Sequence, residues 1–471
     1  MRNPFTMEVE IIITDKLSVI AIRAIITINR EKDLGSLRII LRAMNNSNRI
    51  QTTTTIFTTL TCIMYTFIFC IIACLNYGCK NSNSATEANL VFAEKEIAFF
   101  DTDIITGADQ TELYLPLLID KKIAVVVNQT SMINNTHLVD SLIKRSIQVQ
   151  KIFAPEHGFR GDHDDGASVQ NGKDVSTGIP IISLYGTNKK PTAEQLKNID
   201  YVIFDIQDVG TRFYTFLSTM HYVMEACAEN NIPLLVLDRP NPNGFYVDGP
   251  VLKKEFNSFV GMHPIPVVHG MTFGELAQMI NAEAWLANGV HCDLKIISCK
   301  NYDHTSLYKL PKNPSPNLRS MESIYLYPSL CFFEGTNVSV GRGTANPFQI
   351  FGSPYYPATD FSFIPESSFG SSSPPFKGEH CNGFDLTKNS NTALIQQKLS
   401  LQYLLQMYAG FTNKEKFFLT SGYFNKLAGT DELRIQIEAG LTEEEIRLSW
   451  QNDLVAFKQM RKKYLLYPDF E

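Results

Sequence analysis

The stretch YVIFDIQDVGTRFYT, residues 201–215, joins a continuous apolar run to a cluster of polar and charged residues. Its first six residues have the length of a β-strand and no polar alternation, which is typical of a strand buried on both faces of a parallel sheet. Four similar runs lie in the same half of the chain: IAVVVN (123–128), VQKIFA (149–154), PIISLY (180–185) and PLLVLD (233–238).

Segments with helical periodicity separate these runs, at 136–145, 192–197 and 216–230. Strands that alternate with helices predict an α/β domain with a doubly wound parallel sheet, which we place at 95–258. No GxGxxG, GxSxG or GxxxxGK[ST] motif follows the strands. Dinucleotide, nucleophile-elbow and P-loop sites are therefore not expected.

The second half of the chain, 259–471, is predicted to form a smaller α+β domain. It is rich in Pro- and Gly-containing loops, including KNPSPNLRS (312–320) and FEGTNVSVGRGTANPF (333–348), and it ends in helices. Thr442 and Glu445 form a capping-box pattern ahead of an apolar stripe at helical spacing. The stripe is predicted to be core: Ile446, Trp450, Leu454 and Phe457.

The composition indicates a globular protein of two or three domains, with 471 residues, 44% of them hydrophobic and 19% charged. The formal net charge of -6 provides no basic footprint, so no nucleic-acid partner is expected. The five cysteines between 227 and 381 form no CxxC pair and are expected to be mostly buried free thiols, although Cys292 and Cys299 could pair.

The N-terminal region contains an uncharged apolar stretch, IFTTLTCIMYTFIFCIIACL (56–75). It predicts a secretory signal at 44–79 and a polar tether at 80–94, with 1–43 a misannotated or disordered extension. The sequence IIAC resembles a bacterial lipobox, which makes Cys74 the expected lipidation site and Cys79 a second candidate. We expect export to the periplasm or cell envelope with a lipid anchor; a simple membrane anchor is the alternative.

Ligands of doubly wound sheets bind beyond the carboxyl ends of the strands, and this sequence places many ionisable groups there. Glu156 follows the second apolar run within FAPEHGFRGDHDDG (153–166), and His157 is its neighbour. Desolvation at the end of an apolar strand favours the protonated carboxyl, which suits a general acid. The alternative is an ion pair of Glu156 with Arg160 or Arg212.

The polar part of the opening stretch contains four candidate binding residues: Asp205, Asp208, Arg212 and Tyr214. Two carboxylates and an arginine at this edge can hold the hydroxyls of a sugar or stabilise positive charge in a transition state, and one of the acids is expected to cap the turn. Asp238 and Arg239 in LDRPNPNG repeat this arrangement, with turn chemistry as the alternative.

In the second domain, Glu334, Thr336 and Arg342 lie within EGTNVSVGRGT, whose glycines allow the backbone to approach a ligand. Arg342 and Arg212 are candidates for a bidentate grip on a ligand carboxylate, and pairing of Arg342 with an acid of the other domain is the alternative. His269 precedes a predicted helix, where it either faces the cleft or is a buried core histidine.

A metal site formed by DHDD (162–165) with His157 and His163 is a further interpretation of this stretch. The spacing matches no recognised metal motif, and runs of Asp before Gly are usually loop turns. Neither a metal nor a cofactor is therefore expected.

Motifs distributed over nearly the whole chain after residue 115 resemble NamZ-like exo-β-N-acetylmuramidases, a bacterial family of peptidoglycan glycosidases that was formerly a domain of unknown function. In chain order they are VVNQTS, FAPEHGFRG, PIISLYG, FDIQDVGTRFYT, LDRPNPNG, PIPVVHGMTFGELA, SPNL, FEGTNVSVGRGT, LAGTDELR and KKYLLYPDF.

The resemblance implies a Rossmann-like domain joined to a smaller C-terminal domain, with the active site in the cleft between them. It implies a glycoside hydrolase that releases terminal N-acetylmuramic acid from the non-reducing end of peptidoglycan (MurNAc-GlcNAc) fragments by carboxylate acid–base catalysis. Its partners would be peptidoglycan-derived disaccharides or glycan chains.

By this resemblance Glu156 is the expected catalytic carboxyl, with Asp208 and His157 beside it, while Asp205 and Glu334 are further candidates for the second group. The lactyl carboxylate of muramic acid is a physical reason for arginines in the pocket. Four residues of the matched motifs are further expected substrate ligands: Asn128, Arg160, Asn241 and Asn317.

Two other functions stay open from the sequence. One is a non-catalytic periplasmic binding protein for cell-wall sugars, because two-domain α/β proteins with a cleft also serve as receptors. The other is a metal-dependent hydrolase acting on an ester or amide. The position of Glu156 at a strand end favours catalysis over capture.

Overall fold

The computed structural model describes residues 5–15, 18–28, 37–43, 100–156, 158–160, 172–388 and 397–471. They belong to two units, 1–94 and 95–471. The first unit contains the antiparallel strands β1 (Phe5–Asp15), β2 (Ser18–Ile28) and β3 (Leu37–Ala43), in that order in one sheet. Strands here differ from the disordered extension that was one expectation for 1–43.

The apolar stretch 56–75, the tether and Cys74 lie outside the described residues, so the secretory signal and the lipidation stay predictions. None of the helices in the described ranges is long and apolar enough to cross a membrane.

The strands of the second unit are β4 (Lys122–Val127), β5 (Met132–Ile133), β6 (Thr136–His137), β7 (Gln148–Ala154), β8 (Gly172–Lys173), β9 (Pro180–Ser183), β10 (Tyr201–Asp205), β11 (Leu234–Leu237), β12 (Leu294–Ile297), β13 (Ile350–Ser353), β14 (Ser362–Phe363) and β15 (Cys381–Asp385). Its helices are α1 (Thr111–Leu118), α2 (Leu138–Lys144), α3 (Ala193–Leu196), α4 (Phe216–Glu229), α5 (Phe273–Ala282), α6 (Met321–Leu330), α7 (Gln402–Gly410), α8 (Tyr423–Ala428), α9 (Glu432–Glu438), α10 (Glu443–Ser449) and α11 (Gln451–Arg461).

A seven-stranded sheet in the order β12-β11-β10-β4-β7-β9-β8 organises this unit. Neighbouring strands are parallel, except that β8 runs antiparallel to β9. The five predicted strands and the doubly wound α/β class are confirmed. Strand β12 lies beyond residue 258 and yet belongs to the sheet, so the sheet is not confined to 95–258 as expected.

Alternate residues of the central strand β4 serve two cores on opposite faces of the sheet. Ala124 and Val126 pack into one core, whereas Ile123, Val125 and Val127 pack into the other, and all five are fully buried. Burial on both faces explains why these strands are apolar throughout.

The first of these cores continues into the C-terminal half, which contains a small antiparallel sheet in the order β13-β15-β14 and the helices α6–α11. It includes the whole predicted apolar stripe: Ile446, Trp450, Leu454 and Phe457. The predicted capping box is present, since the Glu445 amide donates to Thr442 Oγ1 and the Thr442 amide donates to Glu445 Oε2. The five cysteines are buried free thiols, and Cys292 and Cys299 do not pair.

The order of the strands determines where a ligand can bind. The chain moves from β4 outward through β7 and β9, then returns to β10 on the other side of β4. Loops that leave the carboxyl ends of β4 and β10 therefore separate in opposite directions, which opens a crevice at this edge of the sheet.

Candidate active site

A cavity of ≈ 430 Å³ lies at this edge of the sheet, within the size range of small-molecule sites. One wall comes from the loops after β7, β9 and β10, and it contains Glu156, Tyr185 and Phe213–Thr215. The other wall comes from the C-terminal half and contains Glu334 and Arg342. Two carboxylates from different halves of the unit thus line one cavity.

Glu156 stands at the end of β7, where a tight turn fixes its backbone. The turn is closed by the Gly158 amide, which donates to the Pro155 carbonyl at 3.1 Å, with Gly158 at a φ of 82°. The Glu156 side chain is 9% exposed, and its Oε2 accepts a hydrogen bond from Thr215 Oγ1 at 2.7 Å. Strand β7 and the loop after β10 together position this carboxyl group.

Among the described residues, Arg160 contacts two aspartates and not Glu156, so the alternative of an ion pair between Glu156 and Arg160 is not observed. Arg160 makes a bidentate contact with Asp174, at 3.2 Å for both oxygens, and lies 3.6 Å from Asp140. Burial lowers the pKa of the Arg160 guanidinium, but the hydrogen bond and charge of Asp174 raise it by more. His157 and the DHDD run lie outside the described residues, so the predictions for them remain open.

Glu334 lies opposite, in the turn Cys331–Gly335, and Arg342 Nε donates to its Oε1 at 2.6 Å. The Arg342 guanidinium also lies 5.1 Å from the ring centre of Phe348, so ring and carboxylate hold it together. Arg342 therefore pairs with an acid, but this acid belongs to the same domain and not to the other domain, as the alternative interpretation had it. The guanidinium stabilises the negative charge of Glu334.

The glycine after Glu334 fixes this turn. A Cβ atom at Gly335 would lie 2.4 Å from Phe424 Cα, so only glycine lets the turn approach α8 this closely. Thr336, expected to bind substrate, is buried and donates to the Phe333 carbonyl at 2.7 Å. Its side chain stabilises the turn instead of lining the cavity.

Asp205 and Arg239, two expected substrate ligands, form a buried ion pair with each other. Arg239 Nε donates to Asp205 Oδ1 at 2.5 Å and Nη2 donates to Oδ2 at 3.0 Å. Burial lowers the pKa of Arg239, but the Asp205 carboxylate raises it by more, so the guanidinium stays charged. The pair joins the ends of β10 and β11 and does not line the cavity.

Three other expected ligands serve the loops at the sheet edge. Asp238 is fully buried and accepts from Tyr467 at 2.6 Å and Thr272 at 2.7 Å, while burial raises its pKa to about 6. The amides of Asn128 and Asn241 are likewise buried, and each accepts a local backbone N–H, at 2.9 Å and 2.8 Å. In the LDRPNPNG loop, the Asn241 contact is the turn chemistry that was the alternative to substrate binding there.

Arg212 is also fully buried and does not reach the cavity. Its Nη1 donates to the carbonyls of Pro250 and Ile265 at 2.8 and 2.7 Å, and its Nη2 donates to those of Leu427 and Ala428 at 2.9 and 2.7 Å. Burial lowers the pKa of Arg212 to about 9. The expected grip on a ligand carboxylate is thus replaced by a connection between the sheet and the C-terminal half.

Asp208, expected to be catalytic, does not line the cavity and lies beside His269. Both side chains are buried, with His269 Nε2 3.4 Å from Asp208 Oδ2. The Met271 amide donates to His269 Nδ1 at 3.2 Å, so the proton of the neutral ring is on Nε2 and faces Asp208. His269 is therefore the buried core histidine that was the alternative to a cleft residue.

Tyr214 does line the cavity, and its hydroxyl donates to the Pro314 carbonyl at 2.9 Å. Asn317 is buried and donates to the Gly370 carbonyl at 2.8 Å, so it fixes a loop. Sequence reasoning missed Thr215, Tyr185, Lys189 and Tyr327, which also line the cavity. Thr215 closes the opening stretch and Tyr185 closes a predicted strand, so their position at the sheet edge was the available signal.

The part of the chain that the structure describes contains no group of three or more His, Cys, Asp or Glu side chains that could hold a metal ion. The chemistry that the cavity offers is that of two carboxyl groups, a paired arginine and aromatic walls. Such a set matches a carbohydrate site, where two carboxyl groups flank a glycosidic bond.

Comparison with known proteins identifies the family. Residues 123–322 match the family description "Exo-beta-N-acetylmuramidase NamZ, N-terminal", and residues 325–467 match "Exo-beta-N-acetylmuramidase NamZ, C-terminal". The chain is 40% identical over 374 residues to the peptidoglycan β-N-acetylmuramidase NamZ of Bacillus subtilis (strain 168), covering 75% of this chain and 89% of that relative.

Two crystal structures of DUF1343 family proteins from Bacteroides fragilis NCTC 9343 are also similar. One has 46% identity and a TM-score of 0.73, covering 78% of this chain and 100% of that chain. The other has 29% identity and a TM-score of 0.63, covering 77% of this chain and 99% of that chain. The resemblance stated from the motifs, the fold and the expected class of enzyme, a glycoside hydrolase, are confirmed. The chain belongs to the exo-β-N-acetylmuramidase NamZ family.

Proposed function

We propose that this chain releases terminal N-acetylmuramic acid from the non-reducing end of peptidoglycan fragments, in the cavity that Glu156 and Glu334 share. The observation that carries the proposal is the meeting of these two carboxylates, one from the sheet edge and one from the C-terminal half. The name of the Bacillus subtilis relative supports the substrate class.

Glu156 is the proton donor in this proposal. Its Oε2 contacts a threonine hydroxyl, which can donate to the carboxylate or accept from the carboxylic acid. The hydrogen bond therefore survives both protonation states, as a general acid that loses and regains a proton requires. A proton placed on the glycosidic oxygen lets the bond to the leaving sugar break.

Glu334 is the negative partner, which replaces Asp208 and Asp205 as the second group. Of the four acids considered from the sequence, only Glu156 and Glu334 line the cavity. The hydrogen bond from Arg342 holds the Glu334 carboxyl group in place. A fixed negative charge at this place stabilises the positive charge that develops on the sugar ring, or activates water for attack.

Lys189 is the proposed ligand of the lactyl carboxylate of muramic acid. It lines the same cavity, with its ammonium group 4.5 Å from the ring centre of Phe259. Among the described residues it pairs with no carboxylate, whereas Arg342 is engaged by Glu334. An unpaired ammonium in a cavity attracts a carboxylate and thereby selects muramic acid over N-acetylglucosamine.

The test is release of chromophore from a chromogenic β-MurNAc glycoside by the purified protein, with the matching β-GlcNAc glycoside as the comparison substrate. We expect turnover of the first and little of the second. Binding of the sugar without release would instead support the receptor interpretation. Loss of activity in EDTA, restored by a divalent metal, would support the metal-dependent hydrolase.

Export with a lipid anchor at Cys74 is part of the same proposal, because a peptidoglycan substrate lies outside the cytoplasm. The supporting observation is the apolar stretch 56–75 that ends in IIAC. Labelling of expressing cells with a radioactive fatty acid should mark the wild type and the Cys79→Ser variant, and fail to mark Cys74→Ser. Equal labelling of both variants would contradict this assignment.

A further inference from the structure

A second cavity, of ≈ 580 Å³, lies directly beside the first one. Gln129, Met132 and His137, which follow β4, form one of its walls, and the segment 312–319 and Phe369 form another. Ser315 lines both cavities. Among the described residues, the segment 312–319 lines both spaces, which are therefore neighbours at this edge of the sheet.

This segment is a fixed partition, held from both sides by side chains. Gln129 Nε2 donates to the carbonyls of Asn313 and Pro314 at 3.1 and 3.0 Å, and the Tyr214 hydroxyl donates to Pro314 at 2.9 Å. Asn317 ties its far end to Gly370 at 2.8 Å. The second space is therefore preformed, and Ser315 is the point at which it meets the first cavity.

The wall that this segment gives to the second cavity has an uncompensated positive charge. The guanidinium of Arg319 donates to the carbonyls of Pro316, Phe369 and Thr344, at 2.6, 3.1 and 3.4 Å, which orient it without neutralising it. Lys312 is exposed and lines the same cavity as Arg319. Within 172–388, 397–471 and the other described ranges, neither side chain pairs with a carboxylate. This wall suits an anionic ligand.

Phe369 adds an apolar face at the same place. Its side chain is 63% exposed, and its carbonyl is one of the three that orient Arg319. An exposed aromatic ring next to a basic group offers the C–H face of a sugar a surface for stacking, while the neighbouring cation binds an acidic substituent. The opposite wall has its own arginine, Arg160, but Asp140 and Asp174 already neutralise it.

We propose that the second cavity binds the part of the substrate that lies beyond the scissile bond, with Phe369 stacking on a sugar and Lys312 and Arg319 binding a carboxylate. This inference rests on the proposed function. In a glycan that alternates MurNAc and GlcNAc, that carboxylate would be the lactyl group of the next muramoyl residue or an acid of its peptide stem. The site selects longer, anionic fragments.

The experiment compares Lys312→Ala/Phe369→Ala with the wild type on three substrates: the chromogenic β-MurNAc glycoside, the tetrasaccharide (MurNAc-GlcNAc)₂, and the same tetrasaccharide with a peptide stem on its second muramoyl residue. The first substrate occupies the first cavity alone. We expect kcat/KM to fall about tenfold on a longer substrate, chiefly through KM, and to change less than about twofold on the chromogenic glycoside. Lys295→Ala on β12, which lines neither cavity, is the matched control.

A loss confined to the unsubstituted tetrasaccharide identifies the lactyl carboxylate as the ligand, because a stem converts that carboxylate to an amide. A loss confined to the stem-bearing tetrasaccharide identifies the stem. Unchanged kcat/KM on both longer substrates, or an equal loss on all three, would overturn the assignment of the second cavity. No turnover of the chromogenic glycoside by the wild type would instead contradict the proposed function, so the two failures are distinguishable.

Discussion

Replacing Thr215 by valine isolates the contact that positions the proposed proton donor. Thr215 Oγ1 lies 2.7 Å from Glu156 Oε2, and valine retains the shape of the side chain but cannot form this hydrogen bond. A correctly placed general acid contributes about 10²–10⁴-fold to the rate, so a carboxyl group that has lost this positioning contact should lower kcat about 10- to 100-fold. KM should stay nearly constant, because the lost contact is to the protein and not to the sugar.

Stability should change little in this variant, which separates a positioning role from a structural one. Thr215 precedes α4, yet its side chain makes no capping hydrogen bond, and its carbonyl contacts in the helix are retained. We expect the free energy of unfolding to change by less than about 1 kcal/mol. Thr215→Ser should restore most of kcat, since the hydroxyl returns.

The assay is steady-state turnover of the chromogenic β-MurNAc glycoside, with urea unfolding of each variant in parallel. Thr219→Val, one turn later in α4, is the control, because its hydroxyl contacts the Thr215 carbonyl and not Glu156. Wild-type kcat in Thr215→Val, or a kcat loss that serine does not restore, would refute the positioning of Glu156 by Thr215.

Three further predictions concern other parts of the molecule. Arg212→Met should lower the free energy of unfolding by about 4 kcal/mol, because each of its four bonds to buried carbonyls contributes about 1 kcal/mol, and urea unfolding measures this. Burial lowers the pKa of His137 to about 4, below its unfolded value of 6.5, so protonation of the ring favours the unfolded state. The free energy of unfolding should therefore fall by roughly 2–3 kcal/mol between pH 6.5 and 4, and this fall should be much smaller in His137→Asn. Lys189→Ala should raise KM for the β-MurNAc glycoside about tenfold and leave binding of a β-GlcNAc analogue, measured by calorimetry, unchanged.

The sheet was predictable because its strands are buried on both faces. Such strands are apolar at every position, and the five runs between 123 and 238 stand out against polar loops. Strand β12, with the sequence LKII, was not recognised because it is short and only half buried at the edge of the sheet. It also lies beyond residue 258, where the change to Pro- and Gly-rich loops predicts the start of a second domain.

The edge of the site was predictable, but the roles of its individual side chains were not. Glu156, Tyr214, Glu334 and Arg342 line the cavity as expected. Asp205 and Arg239, 34 residues apart, neutralise each other in the interior instead. Spacing along the chain shows that a charged residue follows a strand; it does not show whether the side chain turns toward solvent or inward toward a partner.

The same limit explains why the second carboxyl group that we propose is Glu334 and not Asp208. Asp208 is three residues from the end of a strand, yet it faces the buried ring of His269. Glu334 lies in a loop far along the chain and reaches the cavity because Gly335 lets its turn pack against α8. Tertiary packing decided between two acids that the sequence could not rank.

The ratio of kcat between the wild type and Glu156→Gln tests most directly whether Glu156 transfers a proton in the cavity. Glutamine preserves the size of the side chain and removes the transferable proton, so kcat for the chromogenic β-MurNAc glycoside should fall by about 10²–10⁴. Glu112→Gln, on the exposed face of α1, is the control and should keep wild-type kcat. A Glu156→Gln variant with undiminished kcat and wild-type stability would contradict the account.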